Sequence, residues 1–216
     1  MEDLPIINDQ NIELSGCRFL KLSNFNRTPG KLKIEKLIKQ CKKNDRAAQR
    51  ELFRLYKDDL FLISLKYCRN EADAEDNLHD AFLAIFEKIK TYKGKGSFEG
   101  WMKRITIYKA IDKYKDEKKS FFEIKDEILQ DNFEVDTRTN LPLDTLLKFI
   151  QDLPDQYRLV FNLYQMDGYT HKEVSEMLSI SENTSKSNFH RAKIILREKI
   201  MKASKTEEIK TYTYGK

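Results

Sequence analysis

Apolar residues recur along this chain at steps of three and four with little to interrupt them. Ala74, Leu78, Ala81, Phe82, Ile85 and Ile89 fall on one stripe of a helix, while Glu75, Asp76, His79 and Asp80 fall on the opposite face. The stretch from Ala47 to Tyr67 is apolar round most of its circumference, with Leu52, Phe53, Tyr56, Leu60, Ile63 and Tyr67 joined by Leu55, Phe61 and Leu65. A helix of that kind needs neighbours on several sides. Seven Gly and four Pro in 216 residues are too few for an all-β protein built on many tight turns. The pattern predicts an all-α chain.

The period also divides the chain. Residues 1–30 hold none, contain Asn24, Asn26, Thr28, Pro29 and Gly30, and read as a flexible leader. A first helical domain is expected over 31–119. It opens with a short stripe of Leu32, Leu37, Ile38 and Cys41 that ends near Asn44. After Ile89 the run Thr91-Tyr92-Lys93-Gly94-Lys95-Gly96-Ser97 breaks the helix, and Ser97 suits the N-cap of another that starts at Phe98. That helix carries Phe98, Trp101, Ile105 and Tyr108 on one side and Ile107, Ile111 and Tyr114 on another, with Lys103, Arg104, Lys109 and Lys113 interspersed. Residues 120–140 are acidic and aperiodic, an expected flexible linker with at most a helical turn around Phe122 to Leu129. About 20 extended residues reach roughly 66–70 Å, the length of some 20 base pairs.

A second domain is expected over 141–203, with a tail at 204–216. Leu146, Leu147, Ile150 and Leu153 mark its first helix, and Pro154 suits the first position of the next, which carries Tyr157, Val160, Phe161 and Tyr164 and stops at Gly168. Thr170 and Glu173 form a capping box. The helix they open ends near Leu178, Ser179-Ile180-Ser181 turns, and Ser181 caps a final helix through Phe189, Ala192, Ile195, Leu196 and Ile200. A short helix, a three-residue turn and a longer helix with a polar start constitute a helix-turn-helix. The fold class expected is therefore two small helical domains joined by an acidic flexible linker, the second a helix-turn-helix.

Charge narrows the function. Residues 71–91 hold six acids against Lys88 and Lys90, residues 93–119 reverse to nine Lys/Arg against four acids, and residues 120–156 return to nine acids against three bases. Blocks of this size predict separate surfaces for separate partners, one of them polyanionic; the plainer reading is a set of solvated helix faces. Three Cys without a CxxC make neither a disulfide framework nor a zinc site. No histidine pairs with cysteine at metal-ligand spacing, so no metal or cofactor is expected. The start Met1-Glu2-Asp3 and the longest apolar run, Leu60-Phe61-Leu62-Ile63, fit neither a signal peptide nor a membrane span, so the expected place is a reducing cytoplasm, without membrane insertion.

Two segments carry candidate nucleic-acid contacts. In a helix-turn-helix the start of the second helix reaches base edges. Here that start supplies Glu182, Asn183, Thr184, Lys186 and Ser187, with His190 and Arg191 a turn later. Glu accepts from cytosine, Asn pairs adenine, and Lys suits guanine or phosphate. In the first domain the loop with Gly94 and Gly96 is flanked by Lys95 and by the aromatics Tyr92, Phe98 and Trp101, which suits bases drawn out of the stack. A core position is the stronger expectation for Trp101, spaced as it is from Phe98 and Ile105.

Taken together, these segments resemble the extracytoplasmic-function RNA polymerase sigma factors of the sigma-70 class over about residues 32–203. The likeness rests on Asn44-Asp45-Arg46-Ala47-Ala48 with Leu52-Phe53-Arg54-Leu55-Tyr56, on Asp73-Ala74-Glu75-Asp76 through Phe82-Leu83, and on Ser97-Phe98-Glu99-Gly100-Trp101 through Asp112. It continues in Leu153-Pro154 through Phe161, in Thr184-Ser185-Lys186-Ser187, and in His190-Arg191-Ala192. The resemblance implies polymerase contacts at Asp76, His79, Asp80 and Leu83. It implies −10 promoter contacts at Tyr92, Lys95, Ser97, Phe98, Trp101, Lys103, Arg104, Tyr108 and Lys109, and −35 contacts along 182–191. It further implies core RNA polymerase and promoter DNA as partners, an anti-sigma partner that covers those surfaces, a monomer when free, and no catalysis by the chain itself.

The sequence departs from that family at particular places. His79 stands for the usual Gln, Tyr108 for a common Asn, Ser175 and Ser179 for Ala and Gly, and Ser185 for an apolar residue. Ser179 is expected to cost up to about 1 kcal/mol relative to Gly if the turn needs positive φ. Ser185 is expected to leave the recognition helix less firmly packed. The competing readings are a helix-turn-helix regulator that binds its operator without polymerase, and a nuclease with carboxylates Asp73, Glu75, Asp76 and Asp80; one solvated helix face explains those acids better.

Overall fold

The structure is a computed structural model, and it describes residues 31–118 and 141–213, with side chains omitted at 31, 117–118, 143 and 204–213. The leader, the linker with its helical turn, and the side chains of the tail lie outside the described residues. Every regular element among those described is helical. They are α1 (Lys31–Cys41), α2 (Arg46–Tyr67), α3 (Glu71–Lys88), α4 (Phe98–Lys118), α5 (Leu143–Gln151), α6 (Asp155–Phe161), α7 (His171–Leu178) and α8 (Glu182–Thr213). A turn of 3-10 helix at Ile89–Thr91 prolongs α3, and a π-helical turn at Asn162–Met166 prolongs α6. The described residues fall into two compact units, 31–118 with Ile150–Asp155, and 141–149 with 156–213.

In the first unit α2, α3 and α4 pack against one another and α1 lies on α2. The helix boundaries have local causes. Asn44 sits at φ 61, and Asp45 then caps α2 by accepting from the Ala47 and Ala48 amides. Asn70 caps α3 by accepting from Asp73 N–H, and Glu71 and Asp73 favour the positive end of that helix. Leu52, Leu60 and Ile63 of α2 meet Ala74, Ala81 and Ile85 of α3 and Met102, Ile107 and Ile111 of α4 in a core at most 2% exposed. Each such Leu or Ile contributes about 1.5–3 kcal/mol by burial. The α1 stripe differs by one residue from expectation. Ile34 is buried with Leu37, Ile38 and Cys41, while Leu32, two residues before Ile34 and so on the opposite side of the helix, is 84% exposed. Burial pushes the Cys41 thiol up to about 11, with Asp45 adding to the effect, so it is an inert core group.

One polar knot crosses this core. Asn77 of α3 donates to Ser64 Oγ of α2 at 2.9 Å and to the Thr106 carbonyl oxygen of α4 at 3.3 Å. Ser64 and Thr106 each donate back to a carbonyl four residues earlier, Leu60 and Met102. The three side chains are 0–2% exposed, and their hydrogen bonds offset the desolvation that burial imposes.

The second unit is held by Leu159, Val160, Leu163, Val174, Leu178 and Ala192, all at most 3% exposed. Pro154 precedes α6 rather than opening it, a shift of one residue from expectation. The helix beyond it widens into the π turn and is stopped before Gly168, at φ 76. Both bonds of the Thr170–Glu173 capping box are present, at 3.2 Å from Glu173 N–H and 2.8 Å back from Thr170 N–H. Ser179 closes α7 in the left-handed region, φ 56 and ψ 47, as the turn requires. Ser181 Oγ then accepts from Thr184 N–H at 2.9 Å and caps α8. That last helix runs to Thr213, past the domain end expected at residue 203 and into the expected tail.

Candidate nucleic-acid and partner interfaces

The outward face of α3 is set by its own period. Burying Ala74, Ala81, Phe82 and Ile85 leaves Asp76, His79, Asp80 and Leu83 exposed, the last at 54%. Its neighbour α4 supplies Lys113, whose ammonium lies 2.9 Å from Asp73 and 3.9 Å from Asp76. The hydrogen bond that Lys113 donates to Asp73 is the main reason its pKa is raised, against the opposing pull of partial burial. An open groove between the two helices is lined by Asp76, His79, Asp80, Lys109, Asp112 and Lys113. Lys109 therefore points to the acidic side of α4.

Trp101, Arg104 and Tyr108 follow one another at steps of three and four on α4, with Arg104 exposed and Tyr108 42% exposed. Lys95 and Ser97 are exposed, Lys103 is half-buried, and Ser97 Oγ accepts from Gly100 N–H at 2.9 Å as the helix cap. Phe98 departs from expectation as a surface platform: it is 4% exposed. Its ring stacks on Trp101 at 5.5 Å between centroids, and Tyr92 leans on both, at 5.1 Å and 5.3 Å. Phe98 is thus the inner wall of an aromatic cluster whose half-buried members, Tyr92 and Trp101, form its outer side. Gly94 and Gly96 adopt φ 76 and 78, which explains two glycines in so short a loop.

On α8 the first turn is exposed at Glu182, Asn183 and Lys186, and half-buried at Thr184 and Ser187. Glu182 and Lys186 pair at 2.9 Å, and that contact is the main cause of the lowered Glu182 pKa. The Thr184 hydroxyl lies 2.7 Å from Ser181 Oγ and Ser187 donates to the Asn183 carbonyl oxygen at 2.7 Å, so both are occupied with their own helix. Arg191 is half-buried and donates to the Tyr157 hydroxyl at 3.3 Å. His190 is half-buried with Nε2 covered and without a hydrogen-bond partner. The outer set on α8 is thus Glu182, Asn183 and Lys186, with His190 and Arg191 turned toward the unit's flank.

Ser185 reverses the expectation of loose packing. It is fully buried, and its Oγ lies 2.9 Å from Nδ1 of His171 at the start of α7. The His171 ring stacks on Tyr164 at 3.9 Å and 11°, and the Phe189 ring lies against both, 5.9 Å from His171 and 4.7 Å from Tyr164. Burial is the main cause that lowers the His171 pKa, with Lys186 adding to it and Glu182 opposing. A polar pair beside two aromatic rings thus joins the two helices of the motif. The sequence marked Ser185 as unusual but held no sign of its partner.

No group of three or more His, Cys, Asp or Glu among the described residues is placed to hold a metal ion, and no helix among them is long and apolar enough to cross a membrane. Comparison with known proteins accords with this geometry. The family described as Sigma-70 region 2 matches residues 52–120, and that described as Sigma-70, region 4 matches residues 143–196. The ECF RNA polymerase sigma factor SigW of Bacillus subtilis (strain 168) is 28% identical over 180 residues, which cover 77% of this chain and 96% of that one. The ECF RNA polymerase sigma factor SigE of Mycolicibacterium smegmatis is 26% identical over 167 residues, 71% of this chain and 62% of its own longer length. Among solved structures, the sigma factor RpoE in complex with the anti-sigma factor NepR from Bartonella quintana overlaps with a TM-score of 0.46 at 16% identity, over 70% of this chain and 96% of that one. On the two family matches and the sequence relatives, the chain belongs to the sigma-70 family of RNA polymerase sigma factors, among those of the extracytoplasmic-function type.

Proposed function

We propose that this chain is an alternative sigma factor of the cytoplasm that docks on core RNA polymerase, engages the −10 and −35 elements of a promoter subset, and assists melting. It performs no chemistry of its own; its binding energy is spent on opening about a turn of duplex. The outer face of α3, with Asp76, His79, Asp80 and Leu83, meets polymerase. The loop at 92–97 with Tyr92, Lys95 and Trp101 holds the unpaired −10 strand, and Arg104 and Tyr108 continue that surface along α4. Glu182, Asn183 and Lys186 reach the −35 element. An anti-sigma protein that covers these surfaces is part of the proposal, as the family resemblance implies.

The observation that carries this reading is the presence of both sigma-70 regions, in order, in one chain. A helix-turn-helix regulator needs only the second of them. The test is duplex binding with and without core polymerase. The chain alone should bind promoter duplex weakly, and the holoenzyme should bind it tightly. Tight sequence-specific binding by the chain alone would favour the regulator instead.

A further inference from the structure

The segment 92–96 is tied both to itself and to a distant helix end. Lys42, the residue after α1, donates from Nζ to the Tyr92 carbonyl oxygen at 2.7 Å across 50 residues of sequence. Its ammonium also lies 5.9 Å from the centroid of the Tyr92 ring. Tyr92 in turn donates its hydroxyl to the Gly96 carbonyl oxygen at 3.0 Å and its N–H to the Ile89 carbonyl oxygen at 3.2 Å. Its ring rests on Phe98 and Trp101, and α2 steadies the far side, where the Tyr56 hydroxyl donates to Glu99 at 3.0 Å. The Tyr92 side chain therefore closes on the Gly96 carbonyl with Gly94 between them, both glycines lying in the left-handed region with no atom near their open faces. A five-residue stretch with two glycines would otherwise lose much backbone entropy when it gripped a ligand.

We propose that Lys42 and the Tyr92 hydroxyl are positioning residues for base capture, holding the 92–97 loop in its gripping shape before a base leaves the duplex. This rests on the assignment of that loop to the unpaired −10 strand. Lys42 does not touch DNA; it acts through the Tyr92 carbonyl. The Tyr92 phenol stays protonated as a donor, since partial burial and then Glu99 raise its pKa.

The test uses holoenzyme and forked DNA bearing the −10 strand of a promoter that the holoenzyme transcribes, with each −10 base replaced in turn by an abasic site. Wild-type protein should lose about tenfold in affinity at one position, the value of a stacked base. In Lys42→Met and in Tyr92→Phe that penalty should shrink by about three- to tenfold, the worth of one hydrogen bond, with penalties elsewhere unchanged. Lys42→Arg, which keeps a donor, should retain it. Core affinity should match wild type in all three, and each should keep a single cooperative thermal transition lowered by no more than one lost hydrogen bond, which separates positioning from misfolding. Full wild-type penalties in Lys42→Met and Tyr92→Phe, or an even loss at every position, would overturn the proposal. A wild-type protein with no sensitive position would overturn the loop assignment itself, and the proposal with it.

Discussion

Single side chains decide how firmly the helix-turn-helix is held. Burial first, then Lys186, holds the His171 pKa below the usual histidine value, and that direction sets the sign of a pH effect. A histidine whose folded pKa is depressed lends stability that is complete above the unfolded value and is lost as pH falls through the folded one. The melting temperature of the chain should therefore fall on acidification through that window, and His171→Phe should flatten the dependence; an unchanged slope would contradict the assignment. Ser185→Ala leaves the buried Nδ1 without its partner at 2.9 Å and should destabilise by about 1–2 kcal/mol in urea denaturation. Ser179→Gly should act in the other direction, stabilising by about 0.5–1 kcal/mol, because it relieves the left-handed backbone at φ 56. Of these three residues, two were visible as oddities of sequence. The His171–Ser185 pair was not, because it joins residues 14 apart whose approach depends on the angle between α7 and α8.

Helices with a clean period were read nearly to their ends, since period and caps are local properties. The Asp45, Asn70, Thr170 and Ser181 caps act within three residues, so the sequence alone contains all that they need. Which side of α4 faces what was harder, because that helix is apolar on two faces and its basic residues lie between them. Lys109 goes to the acidic groove beside α3 and Phe98 goes to the core, assignments that follow from packing rather than spacing. On α8 the Glu182–Lys186 pair engages the cation best placed for DNA. Glu182→Ala should consequently raise non-specific DNA affinity and steepen its salt dependence. Lys186→Ala should weaken binding and lower the slope by about one unit, measured by titration across ionic strength. On α3, Asp80→Lys should reduce affinity for core polymerase while leaving −35 duplex binding by the chain intact; joint loss of both would indicate misfolding.

For the whole molecule, the alternation of charge along the chain corresponds to surfaces on different helices: acids on the exposed side of α3, bases through the 92–97 loop and α4, and a mixed first turn on α8. The order of those segments was legible because each has its own composition. Lys42, by contrast, belongs to the loop's architecture only through the fold, which carries the end of α1 to a carbonyl 50 residues away. Promoter choice lies beyond composition too, because on the proposed assignment Glu182, Asn183 and Lys186 would have to meet particular donors and acceptors on base edges. The most direct measurement is run-off transcription on genomic fragments with core polymerase and this chain, each alone and together. Transcripts with defined starts should arise only from the combination. A chain that fails to assemble with core polymerase, or that assembles and initiates nothing, would contradict its role as a sigma factor.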